Sequence, residues 1–320
     1  MDDEDRRLFE RSLRRACEST SGALLDRALD DLGWRAALAL DAHLAVSSLF
    51  EVQGALNVST SALDAVVGSA LGLDTGPSAG VVLPALGHWA APGRLAGGDL
   101  TVRGVAAASL GDAATALVVA RSGHDHLVLE SATADLTLRP VQGMDPRLGL
   151  LEVTGDDIPV TTRRDLAPGD WPGAIALARL AVGHELVGAS RAMLELARAH
   201  ALERIQFGQP IAAFQAVRHR LADTLVAVES ADATLRSAWD EGSPHAAAVA
   251  KALAGRSART AARHCQQVLA GMGFTAEHPF HHYLRRVLLL DELFGTARAL
   301  TSDLGRELLA TRELPKPPPL

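Results

Sequence analysis

The sequence has 320 residues, 48% hydrophobic and 22% charged, a balance that supports an ordered core without disulfide or metal staples. A formal charge of -7 and a pI near 5.9 exclude a general affinity for nucleic acid or anionic membrane, since both require a basic surface. Cys17 and Cys265 lie far apart without metal-ligand spacing, so a reducing cytoplasm and idle thiols are expected, with no metal site. The charged start MDDEDRRLFERSLRR lacks the apolar region of a signal peptide, and no run of about 18 uncharged apolar residues follows.

Residues 1–76 read as a helical amino-terminal domain. The segments LFERSLRRACE, ALLDRALDDLGW and LAVSSLFEVQGALN each carry apolar residues three and four apart, and Gly33, Gly54 and Gly72 punctuate them. Over 77–165 the pattern shifts to short runs, VVLPAL, LTVRGVAAA, TALVVA, HLVLE and LTLRP, several of them alternating. That predicts a small β-domain.

From Trp171 the helical period returns. The first long helix carries Leu180, His184, Val187, Arg191 and Leu194 on one amphipathic stripe, with Pro172 in its first turn. It is expected to end at Gly208, and Pro210 to open the next helix. Gly242 closes that second helix, Ser243 and Pro244 cap a third, and a fourth runs from about His281 through LLLDELFGTARALTSDLGRELLA. Residues 166–311 therefore predict an antiparallel four-helix bundle, followed by an extended tail over 312–320. The fold class is mostly α with a small β-domain.

Two segments carry chemistry. Arg204-Ile205-Gln206-Phe207-Gly208-Gln209-Pro210-Ile211, continued by Phe214-Gln215 and Leu221-Ala222-Asp223, sets a forked guanidinium beside an aromatic and aliphatic surface, which suits a pyrophosphate and its apolar attachments. Further on, Gln267, Val268, Gly271 and Gly273 lie in QVLAGMGFTAEHP, where small residues leave the backbone open to close approach and Gln267 can give or accept hydrogen bonds.

Together with Tyr283-Leu284-Arg285-Arg286 and Gly295-Thr296, these segments resemble the R-x-x-F-G-x-x-[IL] corner and the Q-[IV]-x-G-G-x-G segment of the acyl-CoA dehydrogenases over residues 171–310. Ala270 stands where that family usually has glycine. The resemblance implies an acyl-CoA dehydrogenase-like architecture and an FAD whose adenine half contacts Arg204, Gln206, Phe207, Ile211, Phe214, Gln267, Val268 and Gly271.

The family's base, a carboxylate that removes the α-proton of a CoA thioester, normally precedes the Gly-Thr pair or follows the corner arginine. Those positions hold Phe294 and Ile205, neither able to take a proton. Asp291, Glu292 and Glu203 are nearby, but on a continuous helix Glu292 would point away from position 294, and Glu203 is likewise turned from 205. Nothing between Gly76 and Val160 resembles the family's T-E-P-x-x-G-S loop or W-I-[TS] strand. The resemblance thus implies the short, base-lacking subunit of an α2β2 dehydrogenase of the actinobacterial steroid-CoA type. Such a subunit shares FAD with a full-length acyl-CoA dehydrogenase partner and contacts no nucleic acid or membrane. A scaffold without flavin contact and a homotetramer with a relocated base are the competing readings. His184 is expected to be a satisfied core histidine, and His200 a packing residue.

Overall fold

The computed structural model describes residues 3–312, and the tail expected from 312 onward otherwise lies outside them. Five short helices come first: α1 (Asp3–Ser19), α2 (Ala23–Asp31), α3 (Trp34–Leu40), α4 (Ala42–Leu56) and α5 (Ala62–Ala70). Asp41 caps α4 by accepting from the Leu44 amide at 2.9 Å. The apolar faces meet around Trp34, Leu49 and Phe50, where the Trp34 indole donates to the Ala45 carbonyl at 2.9 Å.

Strands β1 (Ala79–Pro84), β2 (Gly93–Ala96), β3 (Asp99–Ala107), β4 (Thr115–Ser122), β5 (Asp125–Ala132), β6 (Thr137–Pro140), β7 (Leu150–Ile158) and β8 (Thr162–Asp165) follow. They pair in the order β6-β7-β3-β1-β4-β5-β8, with β2 between β3 and β4. Pairing is antiparallel except that β4 runs parallel to β1 and β2. Val81 and Leu83 join the core shared with the carboxyl-terminal helices, while Val82 packs in a second core inside the β unit. Burial on both faces explains why β1 reads as an unbroken apolar run rather than an alternation.

The remaining helices are α6 (Asp170–Glu203), α7 (Gln215–Glu241), α8 (Pro244–Leu269), α9 (Phe280–Glu292) and α10 (Ala297–Thr311). Every residue of α6 from Ala178 to Ser190 is buried, so the expected amphipathic stripe is a fully enclosed segment there. The reason is that α4 and α5 pack on one side of α6 while α7, α8 and α9 pack on the other. Gly54 and Gly188 sit at the α4–α6 crossing, where a methyl on either would strike the backbone of the opposite helix.

Two expected helix boundaries are corrected. Gly208 does not end α6 and Pro210 does not open α7: between them β9 (Ile205–Gln206) and β10 (Gln209–Pro210) form a hairpin, and a 3-10 turn over Ile211–Ala213 leads into α7. The expected fourth helix is two, because the chain turns extended at Leu293 and adopts positive φ at Phe294 and Gly295 before Thr296 caps α10. At Gly242, Ser243 and Pro244 the caps lie where expected, with Ser243 Oγ accepting from the Ala246 amide at 3.0 Å. No helix among the described residues is long and apolar enough to cross a membrane.

Candidate functional site

The antiparallel run of α6 to α9 brings the end of α6, the start of α7, the end of α8 and the start of α9 to one end of the bundle. Both sequence-predicted segments therefore meet there. His200 of α6 lies close enough to His278, before α9, to depress its pKa, although burial contributes more.

The hairpin turns on Phe207 and Gly208, at φ of 51° and 78°. Two consecutive left-handed residues are what a two-residue hairpin with the natural strand twist requires, and glycine or asparagine supplies them with little strain. Here a phenylalanine does so while 93% exposed, against Phe214 in an edge-to-face contact with ring centroids 6.1 Å apart. A large ring held in a costly backbone conformation and left in solvent does nothing for the fold of this chain. Arg204 and Gln206 are exposed beside it, and Ile211 is partly buried. The Arg204 carbonyl accepts from the Ile211 amide at 2.8 Å, which holds the arginine near the start of α7. Phe214 occupies the N-cap of α7 and offers no side-chain cap; the Val217 amide donates to the Phe214 carbonyl at 3.1 Å, which leaves the Gln215 and Ala216 amides as the donors an external acceptor could meet.

At the end of α8, Gln267 and Gly271 are exposed, and a methyl built on Gly271 would meet nothing within 4 Å. Val268 is different: its side chain is 5% exposed and belongs to the bundle core, so it supports this surface from beneath. Ala270 adopts φ 49° and ψ -128°, a region suited to glycine. Met272 and Phe274 extend the apolar surface, at 47% and 74% exposure. Leu202 at the end of α6 and Ile205 in the hairpin are also exposed, as are Leu225 and Val226 further along α7.

Position 294 lies at the opposite end of α9. Phe294 is 1% exposed, in a left-handed conformation at φ 56°. Its carbonyl accepts from Arg179 Nε at 3.2 Å, and the Arg179 guanidinium lies 5.4 Å from the centre of the Trp89 ring. Trp89 abuts Gly295, where a methyl would collide with the indole. Lys251, wholly buried, donates to the carbonyls of Asp291 at 3.1 Å and Gly295 at 3.3 Å, and burial lowers its pKa to about 8. The Gly-Thr pair thus has a local structural task, with Gly295 at φ 102° and Thr296 accepting from the Ala299 amide at 3.0 Å.

The nearby carboxylates are committed or displaced. Asp291 is buried, accepts from Arg259 Nε at 2.7 Å and from the Ala297 amide at 3.0 Å. Glu292 ends α9, half-exposed and 3.9 Å from Arg259, so the continuous-helix argument for its direction does not apply. Glu203 and Ile205 are both exposed at the corner. The Arg179, Trp89 and Lys251 group went unread in the sequence, although a lysine within AVAKALAG and an arginine within IALARLAVG are charges set in apolar helices. His184 is only half satisfied: Nε2 accepts from the Trp239 indole at 3.0 Å, Nδ1 has no partner, and burial lowers its pKa to about 4.

Residues 173–309 match the family model described as acyl-CoA dehydrogenase, C-terminal domain. Acyl-CoA dehydrogenase IpdE2 of Mycobacterium tuberculosis is 32% identical over 203 residues, 63% of this chain and 58% of that protein. The chain thus spans less than two thirds of that relative's length. Among solved structures, a variant of the Tcur3481-Tcur3483 steroid ACAD has a TM-score of 0.80 and 23% identity, covering 97% of this chain and 98% of the other. The ChsE4-ChsE5 complex from Mycobacterium tuberculosis contains a chain with a TM-score of 0.80 and 20% identity, covering 99% of both. At those identities the structural likeness speaks for the fold. The chain is thus similar in sequence to the acyl-CoA dehydrogenase carboxyl-terminal domain over residues 173–309, and nearly its whole length shares the fold of those two solved structures.

Proposed function

We propose that the chain is the base-lacking subunit of a heteromeric, FAD-dependent acyl-CoA dehydrogenase, and that it lends its bundle corner to a flavin whose ring and catalytic carboxylate belong to a full-length partner. The observation that carries this reading is the contrast between the two ends of the bundle. At one end Phe294 is buried, with Arg179 on its carbonyl and no carboxylate at that position. At the other, Arg204, Gln206, Phe207, Gln267 and Gly271 form an exposed, uncovered surface.

The donors present at the corner fit the diphosphate of a dinucleotide: a guanidinium, a side-chain amide and the uncapped start of α7, beside the rings of Phe207 and Phe214. FAD, when bound, would accept the hydride leaving the β-carbon of the thioester. This chain's residues would hold the cofactor tail and exclude water from it, while the proton at the α-carbon would go to the partner. The acyl group we infer is bulky and steroid-derived, on the analogy of the Tcur3481-Tcur3483 steroid ACAD, which shares the fold. A pure scaffold would have no use for the exposed arginine and glutamine, and a self-sufficient homotetramer would need a base that neither Phe294 nor Ile205 supplies.

Expression of the full chain alone and with a full-length homologue tests this reading. Colourless protein alone and a yellow, active complex with about one FAD per heterodimer is the expected result. Active yellow protein from this chain alone would overturn it.

A further inference from the structure

A cleft of about 470 Å³ separates α2 and α5 from the start of β1, the turn after β3 and the loop between β6 and β7. Neither the bundle corner nor the Phe294 group lines it. Much of its wall is small and apolar: Ala23, Pro77, Ala79, Ala107, Ala108 and Leu148. A cleft of this size suits a small molecule.

Asp64 of α5 lines the cleft and is 3% exposed. The Val81 backbone lies near enough to favour its charged form, but Oδ1 has no hydrogen-bond partner. A buried acceptor without a donor is costly, and its natural complement is an N–H or O–H group brought from outside. Asp26 of α2 shares the cleft, with Oδ1 already accepting from the Ser61 amide at 2.8 Å. Burial first, and the neighbouring Asp26 next among the raising influences, push the Asp64 carboxyl up to about 7. The nearest influential cation, Arg35, is held by Asp30 at 2.9 Å and by Thr75 at 2.8 Å. Arg27 and Arg147 also line the cleft, both exposed. Among the described residues no group of three or more His, Cys, Asp or Glu could hold a metal ion, which favours an organic cation over a metal.

We propose that this cleft binds a small organic ammonium compound, its N–H donors on Asp64 Oδ1 beside Asp26 and its hydrocarbon body on the alanine and proline wall. The site is separate from the dehydrogenase reading and stands or falls without it. Ammonium binding supplies the missing donor and offsets the repulsion between the two carboxylates.

The test uses the full chain in whatever assembly it purifies, titrated calorimetrically with n-propylammonium at pH 8 and pH 6, with butyrate and magnesium in parallel. Asp64 must be ionised to bind, so affinity should fall about tenfold from pH 8 to pH 6. The charged groups that share the cleft with it are Asp26, Arg27, Asp30 and Arg35 from the helical unit, Asp112 after β3, and Arg147 between β6 and β7. Asp64→Asn should weaken binding more than tenfold without lowering the thermal midpoint. Ala23→Leu, which narrows the cleft and keeps the carboxylate, should weaken it as well and serves if the first variant misfolds. No saturable binding, equal binding of butyrate or magnesium, or retention by both variants would overturn the proposal, as would a structure with ordered water only at Oδ1.

Discussion

Arg286 of α9 donates to Asp145 at 2.6 Å with both side chains enclosed, one wholly and the other 97% buried. The same guanidinium reaches Glu185 of α6 at 3.1 Å, the Val58 carbonyl at 2.8 Å and Ser59 Oγ at 3.1 Å. One cation thus ties the bundle, the loop before β7 and the segment between α4 and α5. Removing one partner of a buried, fully hydrogen-bonded pair costs roughly 3–5 kcal/mol, because the other charge stays behind without compensation. Arg286→Met is therefore expected to lower unfolding free energy by that order in urea denaturation. Arg286→Lys should recover little, since an ammonium cannot reproduce the fork. A loss below about 1 kcal/mol for Arg286→Met would contradict the assignment.

Ala270 gives a prediction of opposite sign. Its φ of 49° and ψ of -128° place a Cβ where the backbone disfavours one, and the residue is exposed, so no packing is lost on removing the methyl. Ala270→Gly should stabilise the chain by about 1 kcal/mol, strain relief outweighing the added freedom of the unfolded state. An unchanged or lowered thermal midpoint would count against the strain argument.

That residue also shows what was legible in the sequence. The family pattern marked Ala270 as a departure, and the structure gives the physical reason glycine suits the position. The bundle corner was legible as a short local run of identities, Arg204 to Ile211. Its hairpin was not, since Gly208 and Pro210 serve equally as helix punctuation and as turn residues. The break at Phe294 escaped because DELFGTARAL keeps a helical apolar spacing; the groups that hold the turn are distant in the chain, with Arg179 on the Phe294 carbonyl, Lys251 on the Gly295 carbonyl and Trp89 against Gly295. β7 and β8 carry acids and exposed residues in place of an apolar run, so pattern alone did not single them out.

Phe207 separates stability from function. Asn at this position before Gly208 is the favoured pair for a two-residue hairpin, so Phe207→Asn should raise the thermal midpoint of the isolated chain by a few degrees, corresponding to about 1 kcal/mol. If the exposed ring serves a flavin across an interface, the same variant should lower FAD retention in the complex, as should Arg204→Ala. Thermal scans of the chain and absorbance of the gel-filtered complex measure the two effects. Gain in the first without loss in the second would leave Phe207 without its proposed role.

Asp64 predicts a pH dependence. Its carboxyl titrates near 7 when folded and at an ordinary value near 4 when unfolded, so between those values the folded chain binds the extra proton. Stability from this group is present at low pH and lost as pH rises through about 7. Compared with Asp64→Asn, which does not ionise, the wild type should lose more than about 1 kcal/mol between pH 4 and pH 8, and the difference should be flat above that. Parallel curves for the two proteins in denaturant titrations across this range would exclude the effect.

Glu292 provides the sharpest check on the missing base. It is the carboxylate nearest Phe294 in sequence, it is not locked in a buried ion pair, and its own backbone carbonyl accepts from the Gly87 amide at 2.8 Å, which fixes where the residue sits. Were it a relocated base, Glu292→Gln would cost several orders of magnitude in kcat, as loss of a proton acceptor does. If the carboxylate belongs to the partner, Glu292→Gln in the complex should leave kcat within about twofold. Phe294→Glu supplies the complementary arm. Arg179 and Lys251 already reach the backbone carbonyls of residues 294 and 295, so a carboxylate added at 294 would stand among cations that favour its ionised form, a poor state for taking a proton from carbon. That variant alone should therefore remain inactive toward CoA thioesters, and turnover by the isolated Phe294→Glu chain would show that the site was one substitution from competence rather than rebuilt around its loss.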